Sequence, residues 1–417
     1  MAADISLLEN PIRVWTPFIK VTIGTHTFGV QQLSNTASRN ASGAFKSPEG
    51  YYVQFPNFIQ NLSVRKINGQ VNTYDLTLKY AITPGADPNF FEKVLSEVSS
   101  SRSIVFSYGD LSTPAFLYRE EEALITKVTN QFDVGAATIT YNISAISKGT
   151  LASSGSNYFP AYAHAKPSDI IKKLLQQNDK YGLCDLFTGM RDLAVVEKNG
   201  WIDSSDQAVT LEAQFNMSVL DYLRYLVSCM KSSDSQKGIY TFVVVDDVAN
   251  DVASGPYFKV VNTETAGDTL DTYTLDVGYP SNAIVTDFRV DNNESYSIFY
   301  DYQTQLNETE YVKRIDNDGN MINVFAQTIS SNNVQATTRP QDESWWKNVT
   351  QYPISAQIRL KGLLRPAILM SKVRLNVLYY GQKHISSGLY IITKQLDEIG
   401  LSGVFTTLNL VRVAGDQ

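Results

Sequence analysis

The stretch Gly403-Val-Phe-Thr-Thr-Leu-Asn-Leu-Val-Arg412 alternates Val404, Thr406, Leu408, Leu410 and Arg412 with Phe405, Thr407, Asn409 and Val411. A period of two is the signature of a strand whose two faces meet different surroundings. The reading predicts a strand that pairs along both edges and closes a C-terminal β unit. Just before it, Leu389-Tyr-Ile-Ile-Thr393 reads as a strand that ends in a turn through Asp397 to Gly400. An antiparallel pair follows from that order.

Working outward, strands are expected at 283–290, 296–303, 311–315, 321–326, 354–361 and 372–379, with 327–343 as a polar loop. At the other end of the chain, 18–30 reads as a hairpin broken at Gly24, and 31–50 as a long Ser/Asn/Gly-rich loop. Asn68-Gly69 separates strands at 58–67 and 70–82. That dipeptide favours a type I′ hairpin turn, which needs positive φ at both positions. Asp87-Pro88 opens a predicted helix with Phe91, Val94, Leu95 and Val98 on one face. Strands at 104–108, 116–118, 123–129 and 137–146 complete the first unit.

The middle of the chain changes period. Pro167-Ser-Asp reads as a capped helix start, with Ile170, Ile171, Leu174 and Leu175 as the apolar stripe. A second helix over 217–230 buries Val219, Leu220, Leu223, Leu226, Val227 and Met230, with Ser218 and Asp221 in a capping pattern. Strands return at 239–245 and 257–261. The fold class is therefore mainly β with an α+β middle: a β unit over 1–150, a mixed helical/β region over 151–265 and a second β unit over 266–417. No repeat of 20–50 residues stands out, against solenoids and propellers.

Composition narrows the function classes. The 417 residues are 43% hydrophobic and 18% charged, an ordinary globular balance. Net charge is −7, which argues against a surface built to neutralise phosphates. The 24 Tyr outnumber 19 Phe and 4 Trp, a mix suited to half-buried strands and interfaces. Nothing approaches the ~18 apolar residues of a spanning helix, and the N-terminus lacks a signal-peptide layout. The sequence reads as a soluble product of a cytoplasm, with no membrane insertion.

A search for chemistry returns little. Cys184 and Cys229 read as buried free thiols, too few for a disulfide framework or a Cys-rich zinc site. His26, His164 and His384 fall in no ligand spacing. Asp316-Asn-Asp-Gly319 resembles the start of a calcium loop, but its glycine is misplaced and the bidentate Glu is missing, so it reads as a turn. Arg119-Glu-Glu-Glu122 reads as a solvated strand edge. Trp345-Trp346 reads as a buried anchor at a domain or subunit contact. No catalytic, metal or cofactor-binding residue is assigned, and no cofactor is expected. One enzymatic alternative stays open, a carbohydrate-active or cell-wall-cutting β protein using an acid pair such as Glu120 and Asp133. A virion adhesion module is another.

The C-terminal third carries the most specific pattern: Ile358-Arg-Leu-Lys-Gly362, Pro366-Ala-Ile-Leu-Met-Ser371, Val373-Arg-Leu-Asn-Val-Leu-Tyr-Tyr380, Ser387-Gly-Leu-Tyr-Ile-Ile-Thr393, then Gly403 to Arg412. This order resembles the closing barrel of baseplate hub proteins of contractile-tailed bacteriophages. The N-terminal strand pair, Asp-Pro helix and later strands resemble the tail-tube barrel that opens the same family. The resemblance implies two tail-tube-like β-barrels per chain, related by an internal pseudo-twofold, with a small helical insert. It further implies a structural, non-enzymatic homotrimer in the virion tail baseplate, assembled in the host cytoplasm. Its partners would be the tail tube protein above, the central spike below and other baseplate proteins on the wedge and sheath side. Phage DNA would pass through the lumen without specific binding.

Overall fold

Strand pairing is where the alternating pattern at the C-terminus resolves. In the computed structural model, residues 17–24, 26–31, 46–47, 50–51, 59–81, 103–110, 119–205, 207–230, 240–246, 255–263, 269–276, 285–292, 312–315, 321–325, 354–362, 368–384, 386–400 and 403–412 are described. The predicted helix from Asp87, the strands at 116–118 and 296–303, residues 32–45 of the predicted 31–50 loop, and the 327–343 loop lie outside them.

The N-terminal strands are β1 (Pro17–Ile23), β2 (His26–Gln31), the short pair β3 (Lys46–Ser47) and β4 (Gly50–Tyr51), β5 (Ile59–Ile67), β6 (Thr73–Ala81), β7 (Ser103–Asp110), β8 (Arg119–Asp133) and β9 (Thr138–Ser147). Hydrogen bonding runs in the order β5-β6-β9-β8-β7-β1-β2, all antiparallel, and β2 comes back close to β5. The sheet thus curls around one apolar core of Val21, Ile23, Leu62, Val64, Leu76, Ile104, Phe106, Ile125 and Ile143. Turns fall at both expected places, where Gly24 and Gly69 take φ of 57° and 70°, left-handed values that glycine adopts without a Cβ penalty. The type I′ expectation is corrected, because Asn68 does not share the positive φ that such a turn needs at both positions.

The middle region carries β10 (Asn157–Phe159), β11 (Tyr162–Ala165), α1 (Pro167–Gln176), α2 (Asn178–Tyr181), α3 (Leu183–Leu186), α4 (Leu193–Lys198), β12 (Val209–Leu211), β13 (Gln214–Met217), α5 (Val219–Ser228), β14 (Tyr240–Val245) and β15 (Tyr257–Asn262). Both predicted helices form, and their expected stripes are buried. Ser218 caps α5 as its spacing requires, its hydroxyl oxygen accepting the Asp221 N–H at 3.0 Å. The expected cap on α1 is corrected: Lys166 stands at the cap position and makes no side-chain cap bond, and Pro167 has no N–H to satisfy there. Phe159 stacks on Tyr222 with ring centroids 3.8 Å apart, which ties β10 to α5. The pairs β10–β13 and β11–β12 and helices α2 to α4 were not expected. Elements of three to six residues are too short to show a period.

The C-terminal strands are β16 (Thr269–Asp276), β17 (Val285–Asn292), β18 (Val312–Ile315), β19 (Met321–Phe325), β20 (Ile354–Lys361), β21 (Lys372–Tyr379), β22 (Gln382–Lys383), β23 (Gly388–Gly400) and β24 (Gly403–Arg412). Strand β24 lies between β20 and β23 and pairs with both, and its Thr406, Leu408 and Leu410 are buried. Strand β16 joins β21 in parallel. The expected turn from Asp397 to Gly400 is corrected: β23 runs unbroken to Gly400, and only residues 401 and 402 separate it from β24. Its Lys394–Gly400 half also pairs antiparallel with β5, so one 14-stranded sheet spans both β units. The chain is mainly β with a small helical region. Its larger apolar core is shared by the middle region and the C-terminal strands, while the first unit has its own.

Candidate functional site

The sequence-predicted chemical residues do not converge. Glu120 and Asp133 stand near opposite ends of β8, thirteen residues of strand apart, or about 40 Å at strand rise. They cannot act as an acid pair. The solvated-edge reading of Arg119 to Glu122 is also corrected: β8 is an inner strand between β7 and β9, and Glu121 is fully buried. Cys184 and Cys229 are buried free thiols, as expected, and burial pushes the Cys184 thiol up. His164 is exposed on β11. His384 Nδ1 lies 2.8 Å from Ser386 Oγ and accepts the Ser386 N–H at 3.2 Å, a local turn contact. The side chain of His26, Asp316 to Gly319 and Trp345-Trp346 fall outside the described residues. Among the described residues no three His, Cys, Asp or Glu side chains converge as a metal set, and no helix is long and apolar enough to cross a membrane.

What the fold does build is a joint where its three parts meet. The turn after β5 inserts its backbone into the other parts: Asn68 N–H donates to the Thr393 carbonyl of β23 at 3.0 Å, and Gly69 N–H to the Phe242 carbonyl of β14 at 2.7 Å. Beside that turn, the two apolar cores are separated by buried polar groups. Asp246, one residue beyond β14, accepts from Asn72 Nδ2 at 2.7 Å, Ser147 Oγ at 2.8 Å and the Tyr74 hydroxyl at 3.2 Å. Glu121 of β8 pairs with Lys66 of β5 and accepts the Tyr108 hydroxyl at 3.0 Å. On β23, Gln395 faces Lys66 in register. The Asp397 carboxylate accepts from Gln395 Nε2 at 2.9 and 3.0 Å and from the Thr406 hydroxyl at 2.8 Å.

Strand alternation places the charged groups of β5, β8 and β23. Lys66 continues the inward face of Leu62 and Val64, Glu121 that of Ala123 and Ile125, and Asp397 that of Ile399. Buried polar groups are as a rule hydrogen-bonded or paired, and here the partners come from seven different strands and the end of β14, with Glu121 Oε2 and Asn72 Oδ1 left without a hydrogen bond. Burial, then the nearby Glu121 charge, pushes the Asp246 carboxyl up to about 6, against the opposing pull of Ser147, Lys66 and Asn72. The Tyr74 hydroxyl is held well above its usual range by burial and then by Asp246. In sequence these residues are scattered singles on alternating strands, so no motif announces them.

Exposed apolar groups lie elsewhere. Phe132 and Val134 stand 61% and 92% exposed at the β8–β9 tip, and Tyr158 packs on Phe215 at 5.1 Å on the outer side of β10–β13.

No protein-family model matches the sequence, and no curated protein matches it. Solved structures do. The 43 kDa tail protein of prophage MuSo2 from Shewanella oneidensis matches over 95% of this chain and 97% of its own, at 11% identity and a TM-score of 0.51. A tail protein from Neisseria meningitidis MC58 covers 95% of this chain and 97% of its own, at 9% identity and a TM-score of 0.49. An E. coli component of the type VI secretion system, itself structurally similar to the T4 bacteriophage tail proteins gp27 and gp5, covers 87% of this chain and 76% of its own. Its identity is 11% and its TM-score 0.46. At such identities a likeness speaks for fold alone. Almost from end to end, this chain has the fold of a prophage tail protein.

Proposed function

We propose that the chain is a structural component of a phage-type tail, the hub of a contractile-tail baseplate. The observation that carries this reading is the shared fold with the Shewanella prophage tail protein over nearly the full length of both chains. In this reading the chain is a homotrimer whose three parts, 1–150, 151–265 and 266–417, give two tube-like units and an insert per subunit. Six units in a ring then match a hexameric tube on one side and a trimeric spike on the other. The net charge of −7 suits a lumen that DNA passes without being held, since like charge removes the counterion-release contribution to affinity.

Light scattering on the size-separated full chain, with images of the purified particle, tests this. A trimeric ring with a central pore is expected. A monomer at all concentrations, or an oligomer without a pore, would overturn the hub reading. Clearing of cell-wall substrate by the purified chain would favour an enzyme instead.

A further inference from the structure

We propose that the buried layer of Lys66, Glu121 and Asp246 is a proton-operated latch, closed when it holds an extra proton and loosened when it does not, that sets how firmly the first β unit grips the middle region. This is independent of the tail assignment.

The argument starts from charge and place. The three groups come from β5, β8 and the end of β14, and each is buried. One ammonium faces two carboxylates, so with both acids ionised the layer carries a net negative charge shut away from water. Burying such a charge is costly, and neighbouring carboxylates resist joint ionisation. The Lys66 ammonium is committed to Glu121, which leaves Asp246 to neutral donors: Asn72, Ser147 and Tyr74. Asp246, which has no cation of its own, is the group to which the latch assigns the proton. The other ionisable groups facing the layer are Tyr74 from β6, Tyr108 from β7 and Asp397 from β23, the last already bonded to Gln395 and Thr406. Lys148, next to Ser147, points outward and pairs with Glu122 at the half-exposed rim.

The raised Asp246 value of about 6, against 3.8 for an ordinary Asp, agrees in sign. The closed joint binds a proton that an opened, solvated Asp246 releases. Closure is thus fully favoured below about pH 4, weakens as pH rises through the window to about 6, and levels off above it. That difference amounts to roughly a hundredfold change in the opening equilibrium.

The test is hydrogen exchange on the full chain from pH 4 to 7.5, corrected for intrinsic exchange, reading the amides of β14 and of the turn after β5. In the wild type, protection there is expected to fall up to about a hundredfold with rising pH. It should be nearly flat in Asp246→Asn. In Glu121→Gln the released Lys66 charge should move the midpoint below that of the wild type. Wild-type protection that does not change with pH, an Asp246→Asn variant that keeps the wild-type dependence, or an unmoved Glu121→Gln midpoint would overturn the latch. Should Asp246→Asn not fold, the wild-type profile and the Glu121→Gln midpoint still decide.

Discussion

The guanidinium Nε of Arg224 donates to the carbonyl of Gly69 across 3.2 Å, so helix α5 holds the backbone of a turn that belongs to the first β unit. The same guanidinium lies over the Phe242 ring at 6.0 Å. Gly69 is thereby fixed on both backbone groups, its N–H by β14 and its carbonyl by α5. Gly69→Ala meets no neighbour within 4 Å, so its cost comes from the left-handed φ alone. A loss of about 1 kcal/mol is expected, with a lower urea midpoint at unchanged slope. A neutral substitution would mean the turn relaxes and the joint does not depend on it.

Gly400 is a different case. A Cβ there would come within 2.8 Å of the Gln60 carbonyl on the neighbouring strand. Backbone cannot step aside as a flexible side chain can, so Gly400→Ala should prise β23 from β5 and cost about 1–3 kcal/mol. Exchange should rise in β5 and in 394–400 before it rises in β20. Equal loosening of all strands would contradict this.

Leu408 sits fully buried opposite Ile358 on β20 and Gln395 on β23. Leu408→Ala is expected to cost about 2–5 kcal/mol through the cavity it leaves. Leu408→Asp adds an unpaired buried carboxylate and should yield little soluble protein. Measuring the soluble fraction and the denaturation midpoint for both variants checks the order.

Tyr222 supplies a prediction of the opposite sign. Its ring is buried against Phe159, yet its hydroxyl has no hydrogen-bond partner. Tyr222→Phe removes an unsatisfied group and should stabilise by up to about 1 kcal/mol. Burial also raises the ionisation of this hydroxyl well above 10.0. Its contribution is present below about pH 10, where the unfolded tyrosine keeps its proton, and is lost as pH rises above that. Urea midpoints at pH 8 and pH 10.5 should therefore fall less for Tyr222→Phe than for the wild type. A destabilised variant would mean the hydroxyl is satisfied after all.

Local chemistry made much of the fold legible. Asn68-Gly69 marked its turn, Ser218 and Asp221 marked the start of α5, and the alternation from Gly403 to Arg412 located a doubly paired strand. Where reading failed, tertiary partners had overridden local preference. Asp397-Glu-Ile-Gly400 has turn composition, but Gln395 and Thr406 satisfy the Asp397 carboxylate inside a strand. Three consecutive glutamates read as solvated until Lys66, 55 positions away, is seen to pair with the middle one. The joint was invisible for the same reason: Asp246 lies 174 positions from Asn72, and nothing in either segment names the other.

The pairing of β23 with β5 bears on how the chain is made. During synthesis β5 emerges well before its partner, since the strand that covers its outer edge follows only at Lys394–Gly400. At about 5–20 residues per second the ribosome leaves that edge uncovered for on the order of half a minute. For that interval the nascent first unit presents unpaired backbone to any neighbouring strand, including the same segment on an adjacent polysome. Yield should then respond to translation speed and to chaperone supply more than the finished protein's stability would indicate.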